Sequence, residues 1–515
     1  MPKFSSIFSL AVFFAVTATA QAQRFGMGPT VTKEMVAAAN TNIAKPMAPG
    51  PFAATWDSVK ENYKTPAWFS DAKFGLFMHW GVYSVPAYHN EWYEKHMYAA
   101  FTQWHTEHFG PQEKFGYKDF IPLFTCEKFD ADEWADLFQK SGARFVVPTA
   151  EHHDNFAMWD SDVTPINAKK MGPKRDLIGE LSVAVRKKGL KFGVSNHGIE
   201  NFTFINPGAE LAARLKAAHA DLYDPNWSEF YHVADRSDAA TQRFLTDWVN
   251  RNLELIDKYQ PDLLWFDNGV NHRYYDPLKL TVAAYYYNRA RKWNKEVSIS
   301  TKSSAYAPSN DDTKQIGSII DFEKIGQRSP SGIRSGPWQV DDPIGSTWGY
   351  TSDMRIQGAN SIVHKLVDTA SRNGNLLLNL SPKADGTIPD EQKKTLLAIG
   401  AWLNVNGDAI NGTHNWTKFS EGNDARGGGS RELSWRFTVK GDALYAIALA
   451  WPGESALITS LATTNVAGKI SGVELLGRKG ALEFSQDAAG LKIKLPVEKP
   501  CDFAYAFKIT GLKLK

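Results

Sequence analysis

Between residues 67 and 413, short apolar runs alternate with longer segments whose apolar positions recur every three or four residues. The runs occupy 74–78, 145–148, 191–194, 263–266, 297–300 and 376–380. Continuous apolar runs of this length read as strands buried on both faces, because an alternating run would leave one face to water. The intervening stretches 130–140, 177–188 and 239–258 carry the helical period. Strand and helix alternating this often predict a parallel sheet covered by helices, and the length suits a (β/α)8-like barrel with insertions.

The texture changes from residue 414 to the end. Runs at 433–439, 443–448, 455–458, 469–475, 482–485, 491–495 and 504–509 alternate apolar and polar residues between Gly, Asp and Asn turns. That is the pattern of a small C-terminal β-sandwich. The glycine-rich stretch 422–430, GNDARGGGS, lacks both phosphate-binding fingerprints and precedes a strand, so it reads as a turn. At the other end, Lys3, an apolar stretch at 7–16 and small residues around Ala20 and Ala22 predict a cleaved signal peptide over 1–22 and export to a periplasmic or extracellular space. The apolar stretch is too short to span a bilayer. Residues 23–66 read as a leader with one helix at 32–42.

Composition narrows the function classes. A chain of 515 residues with 43% hydrophobic and 22% charged residues is a folded protein. Its 58 basic and 56 acidic residues give a net charge of +2, too weak a field for generic nucleic-acid binding. Two cysteines, Cys126 and Cys501, form either one disulfide or two buried thiols. The aromatic share of 13% matters more, because indole and phenol faces stack on the apolar faces of sugar rings.

In a parallel barrel the reactive groups stand just after the strands. Here His79 and Trp80 follow the first run, Glu151, His152, His153 and Asp154 the second, Ser195, Asn196, His197 and Glu200 the third, and Asp267 the fourth. No HEXXH spacing is present, and adjacent residues on an extended segment point opposite ways, which disfavours His152 and His153 as joint metal ligands. The serine elbow GxSxG is also absent. Carboxylates beside His and Trp, including Trp80, Trp92, Trp265 and Trp348, instead fit a sugar-cleaving pocket.

These residues carry a resemblance. WFSDAKFGLFMHWGVYSVPAYHNEWY at 68–93, AEHHDNFAMWDS at 150–161, GPKRDLIGEL at 172–181, PDLLWFDNG at 261–269, WGY at 348–350 and RNGNLLLNLSPKADGTIPDEQ at 372–392, followed by IGAWLNVNGDAINGT at 399–413, resemble in order the motifs of glycoside hydrolase family 29, the retaining α-L-fucosidases. The resemblance implies an exo-acting enzyme that removes terminal fucose from a fucosylated oligosaccharide or glycoconjugate by double displacement, with neither metal nor organic cofactor. Asp267 matches the nucleophile, and His79, Glu91, Trp92, His152, His153 and Trp265 match positions that hold the sugar. The acid/base lies in a variable region, where Asp321, Glu323, Asp341 and Asp342 are candidates and Glu323 is chosen. Some relatives carry Glu where this chain has Gln339, an amide that cannot supply the proton. Two further departures are Lys302 in place of an arginine and Ser195-Asn196-His197 in place of paired tyrosines, which makes Lys302 and His197 candidate determinants of sugar preference. The alternatives are a fucose-binding lectin on a decayed hydrolase fold, a glycosidase for a related sugar, and a metal-assisted hydrolase that chelators would inhibit. Oligomeric state is not encoded in any of these motifs.

Overall fold

The computed structural model describes residues 31–302, 305–309, 315–325, 329–422 and 433–514. The signal-peptide segment and nearly all of the glycine-rich stretch lie outside them. Eight parallel strands close into a barrel in sequence order. They are β1 (Phe74–Met78), β2 (Phe145–Glu151), β3 (Lys191–Asn196), β4 (Leu263–Phe266), β5 (Ser298–Lys302), β6 (Ile319–Glu323), β7 (Trp338–Pro343) and β8 (Gly374–Leu380). The fold class read from the periodicity is therefore the one observed. Six strands coincide with the apolar runs. The other two, β6 and β7, have the sequences IIDFE and WQVDDP, whose acidic residues break the apolar signal although most of these positions are buried.

Side-chain parity explains how the barrel presents its residues, since alternate positions on each strand face inward. Phe77, Phe145, Val147, Leu263, Trp265, Ile319 and Leu377 fill the lower interior, with Phe69 and Ala72 beneath them. Two positions further along, the inward residues are polar: His79 after β1, Asp267 after β4, Lys302 on β5, and Asp321 and Asp341 on β6 and β7. Two glycines make room for the large rings. A Cβ on Gly75 would lie 2.3 Å from the Phe145 ring on the paired strand, and one on Gly374 would lie 2.4 Å from the Trp338 ring. Only a residue without a side chain lets these rings occupy the interstrand space.

The helices cover the outside. Ala131–Lys140 starts at Asp130, whose carboxylate accepts from the Glu133 N–H at 3.0 Å, and Leu177–Lys187 and Asp238–Tyr259 start at Asp176 and Ser237 in the same way. In the leader, Lys33–Thr41 is helical, capped by Thr32, and packs against Asp238–Tyr259.

Eight antiparallel strands follow, in sheets of five and three around their own apolar core. Seven correspond to predicted runs. The eighth, His414–Glu421, buries only Trp416 and has no alternating apolar face to betray it. The sandwich docks on the barrel helices Ala359–Ser371 and Asp390–Asn406. Arg436 Nε bonds Asp368 at 2.6 Å, and Trp402 Nε1 donates to the Ala504 carbonyl at 2.8 Å. Both cysteines are free thiols, so of the two readings of Cys126 and Cys501 the disulfide is excluded. Among the described residues no helix is long and apolar enough to cross a membrane.

Candidate active site

At the C-terminal mouth of the barrel, one carboxylate collects contacts from three strands. Asp267 extends directly from β4. Its Oδ2 lies 3.3 Å from His197 Nδ1 and 3.5 Å from His153 Nε2, and its Oδ1 lies 3.3 Å from the Lys302 ammonium. Burial alone would favour the neutral acid, but the Lys302 charge and the two imidazole contacts outweigh it and hold the Asp267 carboxyl well below the usual carboxylate range. An ionised, largely desolvated carboxylate aimed into a pocket has what a nucleophile needs. Its supports differ in charge. Burial opposes protonation of His153, yet the Asp267 contact and the Glu200 carboxylate, 3.6 Å from Nδ1, raise its pKa. His197 is driven by burial to about 4. It is therefore neutral, with its Nε2 3.1 Å from the Ser195 hydroxyl and its Nδ1 facing the Asp267 carboxylate.

The remaining imidazoles form a neutral wall. His79 and His152 are pushed well below the ordinary histidine value, first by burial and then by their charged or imidazole neighbours. Asn379 Oδ1, 2.7 Å from His79 Nδ1, fixes that ring. Neutral imidazoles in fixed orientations suit sugar hydroxyls, because each ring offers one donor and one acceptor. Glu91 is buried across the pocket and accepts the Gly349 N–H at 3.1 Å; its pKa is raised by burial.

Two tryptophans close the mouth. Trp348 is half-buried, 5.2 Å from the His79 ring and 5.3 Å from the Lys302 ammonium. Trp92, also half-buried, stands 6.0 Å from the His153 ring. The other two predicted tryptophans sit elsewhere. Trp265 is fully enclosed in the barrel and donates from Nε1 to Asp321 at 2.6 Å, so it forms the floor under the pocket. The Trp80 indole points away, packs on Phe124, Phe129 and Trp134, and donates to the Lys383 carbonyl at 2.8 Å. The parity that carries His79 inward carries Trp80 outward.

Of the four acid/base candidates, Asp342 faces outward and pairs with Lys365. Asp321 accepts three hydrogen bonds inside the barrel, and Asp341 is wholly buried beside it. Glu323 ends β6 at the pocket, 3.7 Å from the same ammonium that touches Asp267, with its side chain 29% exposed. Only Glu323 of the four combines access to the pocket with proximity to the Asp267 site. Sequence reasoning missed Asn379, which lies two residues beyond the inward-facing Leu377 on β8; it named Glu200 and Asp341 but not their contacts with His153 and Lys302. Two groups, His79-His152-His197 and His153-His197-Asp267, bring ligating atoms within 4.8 Å of one another. A cation there would compete with the Lys302 ammonium for Asp267, and with the existing partners of His79 and His197.

Comparison with known proteins decides the family. Residues 39–408 match the profile of the family described as alpha-L-fucosidase, and residues 431–510 match the alpha-L-fucosidase C-terminal domain. The chain belongs to the alpha-L-fucosidase family. It is 32% identical to the tissue alpha-L-fucosidase of Rattus norvegicus over 490 residues, covering 90% of this chain and 94% of that protein. The human tissue alpha-L-fucosidase is likewise 32% identical over 502 residues, 92% and 94% of the two chains. Among solved structures, a Thermotoga maritima alpha-fucosidase in complex with fucose superposes with a TM-score of 0.69 at 30% identity, covering 89% of this chain and all (100%) of that one.

The electrostatics predict a pH profile. Asp267 stays ionised as pH falls to below its ordinary 3.8, and His197 stays neutral down to about 4. The acid side of kcat/KM on an aryl fucoside is therefore expected to stay within about threefold between about pH 7 and pH 5. A tenfold fall over that interval would contradict the assignment of Asp267 as the ionised group.

Proposed function

We infer that this protein is an exo-acting, retaining α-L-fucosidase in which Asp267 is the nucleophile and Glu323 the acid/base. The observation that carries the reading is the Lys302 ammonium shared by these two carboxylates, 3.3 Å from one and 3.7 Å from the other, at the mouth of the barrel. A retaining pair works at a separation of about 5–5.5 Å, and two groups gathered on one ammonium fit that requirement.

The reaction follows from the placement of the two carboxylates. Asp267 attacks the anomeric carbon of a terminal α-L-fucosyl residue while Glu323 gives its proton to the departing oxygen, and a β-linked fucosyl ester forms on Asp267. Glu323, now ionised, takes a proton from water, which attacks the same carbon and restores the α-configuration. His79, His152, His153, His197 and Glu91 surround the ring hydroxyls, and Trp92 and Trp348 offer apolar faces. A buried donor left unpaired penalises a sugar lacking its hydroxyl, which is how a walled pocket selects one terminal residue. Hydrolysis of 4-nitrophenyl α-L-fucoside, followed by NMR of the first-formed anomer, tests the reading: α-fucose first supports it, β-fucose first or no hydrolysis opposes it.

The N-terminal segment supports a second element of the reading, that the enzyme works outside the cytoplasm. A charged residue, an apolar stretch and small residues at 18, 20 and 22 are what a signal peptidase requires. Sequencing of the mature protein from its native host is expected to begin after Ala20 or Ala22. An intact Met1 in the cytosolic fraction would overturn export.

A further inference from the structure

Beneath the pocket, Lys302 has a third carboxylate partner that the reaction does not use. Asp341 Oδ2 lies 3.3 Å from the ammonium, on the side facing the barrel interior. The residue is fully buried, and among the described residues neither of its carboxyl oxygens accepts a well-aligned hydrogen bond. A carboxyl group placed in a closed interior is costly unless a donor or cation compensates it, and the cation here is Lys302. Asp341 is itself fixed. Its N–H donates to Asp321 Oδ1 at 3.0 Å, and Asp321 Oδ2 accepts from Trp265 Nε1 and Gln339 Nε2, both at 2.6 Å.

We propose that Asp341 is a positioning residue, which holds the Lys302 ammonium from inside the barrel at the point where it touches Asp267 and Glu323 together. The proposal rests on reading those two residues as the catalytic pair. A lysine needs such an anchor because it is a point charge on a flexible stem without the planar fork of arginine. Left between two rim carboxylates, it would settle on one of them. The anchor also suits the charge flow of the first step. Asp267 loses its negative charge when the ester forms, and Glu323 gains one when its proton leaves with the departing oxygen. In the free enzyme Lys302 is held protonated, since burial is outweighed by the charges of Asp267, Asp341 and Glu323. Held from below, it stabilises whichever carboxylate is ionised. Asp341 is pushed upward, by burial first and then by the Asp321 charge, and its Oδ2 presents a lone pair to the ammonium 3.3 Å away in either protonation state. The ionisable groups around it are Lys302 on β5, Asp321 and Glu323 on β6 and Asp267 after β4.

The test uses the full-length enzyme with Asp341→Leu, close in shape but without an acceptor, and Asp341→Asn, which keeps a carbonyl oxygen. The leucine variant is expected to lose about 100-fold in kcat on the aryl fucoside with KM within about threefold, and the asparagine variant to stay within about tenfold of wild type. A crystal structure of the leucine variant should show Lys302 Nζ displaced from Asp267 or Glu323. A folded Asp341→Leu with kcat within twofold of wild type and Nζ in place would overturn the proposal. If the leucine variant fails to fold, a cycle of Lys302→Met with Asp341→Ala, which removes the acceptor, replaces it: strongly non-additive losses support the anchor, and additive ones refute it. The displacement of Nζ is read without turnover, so it separates this proposal from the catalytic reading, which fails instead if Asp267→Gly remains active.

Discussion

Asp267→Gly is expected to lower kcat on 4-nitrophenyl α-L-fucoside by about 10⁴-fold or more, with the folded protein still present at normal yield. The magnitude follows from removing the atom that forms the bond, which no neighbour replaces: His153, His197 and Lys302 all point at Asp267 and none is an ionised carboxylate. Removing a charged carboxylate from among these groups leaves a cavity lined by donors, which small anions can occupy. Azide or formate added to the variant should therefore restore part of the activity, and azide should yield β-fucosyl azide, because it attacks from the face that Asp267 used. Variant activity within tenfold of wild type, or an azide product of α-configuration, would place the nucleophile elsewhere.

Glu323→Ala is expected to separate substrates by leaving group. With an alkyl or sugar leaving group, loss of the acid should cost about 10²–10⁴-fold in kcat/KM. With 4-nitrophenol, which departs without a proton, the first step should survive and the second become limiting, so KM falls with kcat as the fucosyl ester accumulates. Azide then intercepts that ester from the opposite face and gives α-fucosyl azide. The two variants thus produce opposite anomers from one substrate, a signature that a general loss of folding cannot imitate. Equal losses on both leaving groups would point instead to a role for Glu323 in binding. In that case Glu200, 3.6 Å from His153 and raised by burial, is the next carboxylate at the pocket.

Much of this was legible in the chain because the barrel translates sequence parity into geometry. Residues 263, 265 and 267 face the same way, so an apolar run ending in Asp267 places its carboxylate at the mouth. The same rule gives His79 from Phe77 and Lys302 from Ser300. It failed where burial was not apolar: β6 and β7 carry Asp321, Gln339 and Asp341 into the interior, and polar residues inside a sheet look like loop residues to any hydrophobic pattern. Trp80 and Trp265 show a second limit. Both adjoin polar residues in sequence, yet one is on the outer face of its segment and the other is enclosed as the pocket floor, and adjacency along a strand does not distinguish these from a rim position. The interior network of Asp321, Gln339 and Asp341 depends on the pairing of β6 with β7, and the residues on either strand alone do not reveal it.

The account stands on Asp267 as the group that carries the sugar. The most direct measurement is peptide mapping by mass spectrometry after inactivation with 2-deoxy-2-fluoro-α-L-fucosyl fluoride, whose fluorine at carbon 2 slows release of the ester more than its formation. The expected result is one fluorofucosyl group on the peptide containing Asp267, lost on mild base treatment and absent from Asp267→Gly. A label on Glu200, Glu323 or Asp341, or turnover of the reagent with no covalent adduct, would contradict it.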